Sequence, residues 1–142
     1  MENLKIKEGV TLNDLKLVAQ ARLLDFHALK KAQQYAGAVY MGRFVIEIYL
    51  KCLICKRLQK HGLPELFHSH DLNGLLYYSG WNEELERDAQ RWDNFTKITA
   101  FKIDMLRYQN PDVVTESDCN DWDIWLNDVE GGLVPWLQSK LQ

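Results

Sequence analysis

Apolar residues step through the start of the chain by three and four: Leu12, Leu15, Val18, Ala19, Leu23, Phe26 and Leu29. That spacing predicts a helix with one buried face, and Thr11 or Asn13 can cap its start. The next stretch, 32–60, holds no proline and only Gly37 and Gly42, so it also reads as helix. Joined end to end, the two would form a rod of about 50 residues and about 75 Å. A compact chain of this size is only about 37 Å across. The chain therefore folds back, with the break expected around Asp25–Lys31. Gly62 is expected to end the second helix, with Lys56, Arg57, Lys60 and His61 near its negative end. Pro64 prevents continuation.

Beyond that loop, Ser69 or Asp71 caps a short helix through Leu72, Leu75 and Leu76 that closes near Gly80. Asn82 is expected to cap the next helix, with Glu83, Glu84 and Glu86 in its first turn, where the dipole favours acids. Its buried side reads as Leu85, Ala89, Trp92, Phe95, Thr99 and Met105 or Leu106, and Asn110-Pro111 breaks it. Thr115-Glu116-Ser117-Asp118 comes close to a capping box and opens a helix that buries Trp122, Trp125 or Leu126, and Val129. Gly131-Gly132 and Pro135 stop or kink it before Leu133, Trp136 and Leu137. No segment alternates strictly or gathers Val, Ile and Thr. The expected fold class is all-α: an up-and-down bundle of four to five helices in one domain over 1–142, with its core at about 12–140.

Composition narrows the class. At 142 residues, with 46% hydrophobic and 26% charged residues, the chain is neither disordered, collagen-like nor a disulfide scaffold. Its net charge of −3 hides an asymmetry. Residues 1–61 carry 11 Lys and Arg against 5 Asp and Glu, whereas residues 62–142 carry 6 against 15. Seven acids and no base lie between Asp112 and Glu130. Such polarity suits an anionic partner on the first half, or head-to-tail self-association. Three cysteines without a secretory signal imply reduced thiols and a cytoplasmic location. The most apolar run, Phe44 to Cys55, is cut by Glu47 and Lys51 and is too short to span a bilayer.

Candidate chemistry is sparse. Arg43, Glu47 and Lys51 recur every four residues in an otherwise apolar helix, so they share one stripe. That stripe is either a solvated edge or a charged line facing a groove. His68-Ser69-His70-Asp71 stands at a loop-to-helix junction, where free N–H groups suit a phosphate. Cys52-x2-Cys55 followed by His68-x-His70 has the wrong histidine spacing for zinc and places its cysteines in mid-helix. The cysteines read as small core residues, and mid-helix placement also argues against a redox pair. Arg107-Tyr108 sets a cation and a stacking ring before Asn110-Pro111. No phosphate loop, nucleophile elbow or other cofactor motif occurs, so no cofactor and no metal is expected.

Taken in order, these residues resemble the HEPN domain family. The likeness runs from Ala21-Arg22-Leu23-Leu24 through 35–42 and is strongest at Glu47-Ile48-Tyr49-Leu50-Lys51, which looks like the family's Glu-x-x-x-Lys. His70-Asp71-Leu72 looks like its His-Asp-Leu opening of the third helix, and Arg107-Tyr108 like the Arg-Tyr that often ends the fourth. The resemblance implies a helical homodimer of the toxin–antitoxin or defence type, often paired with a nucleotidyltransferase. Many members are metal-independent ribonucleases with a late Arg-x4-6-His motif. Here no histidine follows His70, and Arg22-x4-His27 lies on the first helix, where the family does not place it. The expectation is a domain that binds a nucleotide, RNA or a nucleotidyltransferase-type partner without catalysis of its own. Glu47, Lys51, His70, Asp71, Arg107 and Tyr108 would line its groove. Lys51 and Arg107 would take phosphate, Tyr108 would stack, and Glu47 and Asp71 would orient the cations. The alternatives are a ribonuclease using His70 and Arg107, and a dimeric interaction scaffold.

Overall fold

A computed structural model describes residues 10–101 and 110–142. Among these residues seven α-helices follow in order: α1 (Leu12–Lys31), α2 (Tyr35–Leu58), α3 (Leu72–Ser79), α4 (Asn82–Arg87), α5 (Ala89–Ala100), α6 (Glu116–Asn127) and α7 (Leu133–Lys140). No strand occurs among the described residues, so the fold is the expected all-α bundle. None of these helices is long and apolar enough to cross a membrane.

The apolar α2 lies at the centre, packed against α1, α3, α6 and α7. It runs antiparallel to α1: the Leu12 amide donates to the His61 carbonyl at 3.2 Å, and the Leu63 amide donates to the Val10 carbonyl at 2.9 Å. Gly42 permits the closest approach. A Cβ there would stand 2.8 Å from Leu126 Cδ1 and 3.2 Å from Phe26 Cδ1, so α1 and α6 both press on the α2 backbone at this point. One hydrophobic core draws on all seven helices, with Phe26, Tyr49, Phe95 and Trp122 among its largest buried side chains.

The fold-back sits later than expected. α1 continues to Lys31, and the turn is Ala32–Gln34, with Gln33 in the left-handed region at φ 64°. The Gln34 amide reaches the Leu29 carbonyl at 2.8 Å and the Gln33 amide reaches that of Lys30 at 3.0 Å. These bonds form a Schellman closure that usually calls for glycine. The same device ends α2 at Leu58 through Gln59 at φ 54°, four residues before Gly62. Neither glutamine announces a stop in the sequence, which explains both errors.

Capping accounts for most other boundaries. Thr11 with Asp14, and Thr115 with Asp118, complete both halves of a capping box. Gly80, at φ 85°, closes α3 as expected. Asn82 is the first helical residue of α4 and makes no cap, since Trp81 holds that position. The helix expected to run on from Asn82 breaks at Asp88, whose carboxylate accepts from the Arg91 amide at 3.1 Å and starts α5. That break leaves Ala89 exposed. Met105 and Leu106 lie outside the described residues. On α6, Trp122 and Leu126 are buried, but Val129 falls past the helix end and is 82% exposed. Gly132 opens α7 and Pro135 sits in its first turn, where a missing N–H does no harm.

Candidate functional site

The charged stripe of α2 is not a solvated edge. Glu47 is 2% exposed and Lys51 is 8% exposed, so the fold carries a carboxylate and an ammonium inside an apolar helix packing. Isolated charges there would be strongly disfavoured. The compensation is local. Lys51 Nζ donates to Glu47 Oε2 at 2.9 Å, and Arg43 Nη1 lies 3.6 Å from Glu47 Oε1. Both cations come from the turns on either side, as the four-residue spacing requires.

A third partner arrives from another element. The 3₁₀ turn Glu65–Phe67 and the buried Leu72 bracket the loop that leads into α3. Within it, Ser69 Oγ accepts from the Asp71 amide at 3.1 Å, tightening the turn. This loop brings His70 Nδ1 to 3.0 Å from Glu47 Oε2. A carboxylate can only accept, so Nδ1 carries the proton. Arg43 Nη2 fixes the same loop by donating to the His70 carbonyl at 3.0 Å. The ring itself is 76% exposed, and among the described residues nothing binds its Nε2.

Glu47 is therefore a hub for Lys51, Arg43 and His70. Glu47 thus stands against two permanent cations, Lys51 and Arg43, beside the imidazole of His70. Three of the expected site residues, Glu47, Lys51 and His70, meet here. Asp71 does not join them; it holds the N-cap position of α3 without a side-chain cap bond, and its carboxylate makes no ion pair among the described residues. Arg107 and Tyr108 lie outside the described residues. Arg43 is the member the expected site left out, although its place in the Arg-x3-Glu-x3-Lys stripe was a usable signal.

Two other features carry less chemistry. A cleft of about 350 Å³ is lined by Lys56, Arg57, Trp81 and Lys140. Its cations are committed to helix ends: Lys56 Nζ donates to the Lys140 carbonyl at 2.9 Å, and Arg57 Nη1 to the Tyr78 carbonyl at 2.9 Å. Lys140 pairs with Glu84. Three helix C-termini (of α2, α3 and α7) converge there, and their negative ends offset the side-chain charge. Cys52, Cys55 and Cys119 are buried free thiols. Burial pushes Cys52 up to about 12, far from a nucleophile's range.

Comparison of the chain with protein-family models, with curated proteins and with solved structures finds no match.

Proposed function

We propose that this chain is a HEPN-like helical domain that binds a nucleotide or RNA, or a nucleotidyltransferase-type partner, through the face marked by His70 and Arg43, without catalysis of its own. The supporting observation is the buried Glu47 carboxylate, which gathers Lys51, Arg43 and His70 and leaves the His70 ring open to solvent. Burying a carboxylate and an ammonium brings a small domain little or no stability over apolar packing, so folding alone gives little reason to keep the pair. Lys51, largely covered and bound to Glu47, acts here as a positioning residue rather than as a phosphate ligand. Arg107 and Tyr108 enter through the family resemblance alone, as a phosphate contact and a stacking ring, and the toxin–antitoxin or defence setting enters on the same ground.

Fluorescence anisotropy with a short single-stranded RNA and with ATP and GTP tests the reading. Removing a charge-assisted contact is worth about 1.5–3 kcal/mol, so His70→Ala and Arg43→Ala are each expected to weaken binding about tenfold or more. Arg107→Ala is expected to weaken it with the fold intact. Unchanged affinity in the His70 and Arg43 variants, or no binding by the wild type, overturns the assignment.

A ribonuclease reading is favoured by one specific feature. His70 presents an open Nε2 while its Nδ1 is held by a buried carboxylate, which is how a general base is oriented. Arg107 would then steady the charge on phosphorus. Incubation with total RNA in EDTA decides between the two: cleavage that disappears in His70→Ala replaces the binding assignment with a catalytic one.

A further inference from the structure

Two clefts along the joint between α1 and α2 carry donors that the fold does not use. The first, about 320 Å³, lies where α1 begins and α2 has ended, and is lined by Lys16, Lys60 and His61. The second, about 290 Å³, reaches one turn further along α1 and is lined by Lys16, Gln20, Tyr49 and Gln138. Lys16 lines both, so the two meet at its side chain and form one groove. Together they fall within the roughly 300–1,000 Å³ of small-molecule sites.

The cations of this groove are unspent. Elsewhere in the first half of the chain Lys30 is paired with Asp123, Arg43 and Lys51 with Glu47, and Lys56 with the carbonyls of Lys140 and Gln142. The side chains of Lys16, Lys60 and His61 make no hydrogen bond or ion pair with any described residue. Among the described residues no acid lines either cleft, although acids outnumber bases 20 to 17 in the chain. Asp14, the acid nearest Lys16 in sequence, is turned to the Thr11 amide at 3.4 Å.

The second cleft differs in kind. Tyr49 is 2% exposed, and its hydroxyl accepts from Gln138 Nε2 at 2.9 Å. The hydroxyl's own proton has no acceptor among the described residues, although a buried donor ordinarily finds one. Beside it, the carboxamides of Gln20 and Gln138 can both donate and accept, which suits hydroxyl groups better than a bare anion. We infer that the groove binds a small phosphorylated polyol, of the sugar-phosphate class. Its phosphate sits between Lys16, Lys60 and His61, and its hydroxyls reach Tyr49, Gln20 and Gln138. A phosphate monoester carries about −1.5 to −2 near neutrality, which the two lysines balance. Gln20 stands ~6 Å beyond Lys16 along the helix, within reach of the hydroxyls of a phosphorylated pentose or hexose. His61 brings the one solvent-open ring among the lining residues, so a row of bases finds no stacking platform. Neither His70 nor Arg43 lines the groove, and the inference stands apart from the ligand assignment above.

Isothermal titration calorimetry with glucose 6-phosphate and ribose 5-phosphate tests it, beside glucose, inorganic phosphate and a short single-stranded RNA. The sugar phosphates are expected to bind with Kd below about 1 mM, and glucose and inorganic phosphate at least about tenfold more weakly. Lys16→Ala and Lys60→Ala each remove a charge-assisted contact and are expected to weaken sugar-phosphate binding about tenfold. Far-UV circular dichroism stays unchanged in both, because neither side chain holds another element. Tyr49→Phe keeps the buried ring and is expected to weaken the sugar phosphates about fivefold while leaving inorganic phosphate unchanged, a split that a loosened fold would not give. His70→Ala is expected to leave sugar-phosphate affinity as it is. No heat from either sugar phosphate up to about 10 mM overturns the inference, as does affinity no better than that of inorganic phosphate. So does insensitivity to both lysine variants, or to Tyr49→Phe. If His70→Ala loses the sugar phosphate, or if RNA displaces it and the lysine variants lose RNA affinity, the groove belongs to the RNA-binding face and the sugar-phosphate reading falls.

Discussion

Replacing Glu47 with glutamine keeps the shape of the side chain and removes its charge. What remains is the Lys51 ammonium, with 10% of its side chain exposed, facing a neutral amide. Removing one partner of a buried pair costs about 3–5 kcal/mol, because the other charge stays desolvated. Glutamine can still accept one hydrogen bond, which places the loss near the lower end, at about 3 kcal/mol. Arg43 and His70 add little, because their side chains are 19% and 76% exposed and can turn to water. For a chain of this length about 3 °C of Tm accompanies each kcal/mol. Glu47→Gln is thus expected to melt about 10 °C below the wild type, and Arg43→Ala within about 3 °C of it. The decisive control is Glu47→Leu with Lys51→Met. Exchanging a whole buried pair for apolar residues is neutral or stabilising by about 1–4 kcal/mol, so the double variant is expected to recover all that Glu47→Gln loses. Urea unfolding followed by tryptophan fluorescence measures both. A Glu47→Gln protein within about 0.5 kcal/mol of the wild type, or a double variant no better than the single, refutes the reasoning.

Other expectations follow from the same geometry. Gln33→Gly and Gln59→Gly relieve left-handed backbone that costs a non-glycine residue about 1–2 kcal/mol, offset by about 0.5–1 kcal/mol of chain entropy. Each is expected to raise Tm by about 3 °C, and a lowered Tm counts against the assigned turn. At Gly132 a Cβ would fall 2.4 Å from the Asp128 carbonyl oxygen and 2.6 Å from its amide nitrogen. Both are backbone atoms, so Gly132→Ala is expected to cost about 3 kcal/mol in thermal unfolding; a loss under about 1 kcal/mol would contradict the contact. Lys30 Nζ lies 2.6 Å from Asp123 Oδ2 and ties α1 to α6. Burial would raise the Asp123 carboxyl, but the bonds from Lys30 and Asn127 outweigh it and hold the group below its ordinary 3.8. The bond to Asp123 in turn raises Lys30 above 10.5. The pair's contribution is complete between those two values. It is lost as pH falls through the native Asp123 pKa or rises through the native Lys30 pKa. The stability gap between wild type and Lys30→Met is therefore flat near neutrality and closes toward both extremes, and a gap that widens in acid would contradict this.

How much was legible in the sequence depended on whether the determinant is local. The Thr11 cap, the Thr115–Asp118 box, the Gly80 stop and the interruption at Gly131-Gly132 act through adjacent residues, and sequence reasoning places them. Gln33 and Gln59 end helices with a residue type that gives no such signal; tertiary packing sets the backbone and the residue accepts the strain. Asp88 is an ordinary N-cap, but no glycine or proline beside it marks the break between α4 and α5. For the site, the four-residue spacing of Arg43, Glu47 and Lys51 was visible, but whether the stripe faced water was not. That answer depends on which neighbours cover α2, and periodicity cannot decide it when nearly every position in the helix is apolar. The approach of His70 to Glu47 spans 23 residues of chain and left only the faint signal of a histidine at a helix entrance.

The α2 helix holds an inversion that monomer stability does not explain: it buries charge where leucine and methionine would pack. Consistency across levels is what folding alone favours, and its local failures gather where a protein does something else. The failure can be reversed. A chain carrying Glu47→Leu and Lys51→Met obeys the packing rule at both positions. It is expected to unfold at least as high in urea as the wild type, and to bind RNA at least tenfold more weakly because His70 has lost its anchor. If that chain is less stable, the buried pair belongs to the fold rather than to a site. If it is stable and still binds as the wild type does, the inversion does not serve the binding assigned to it.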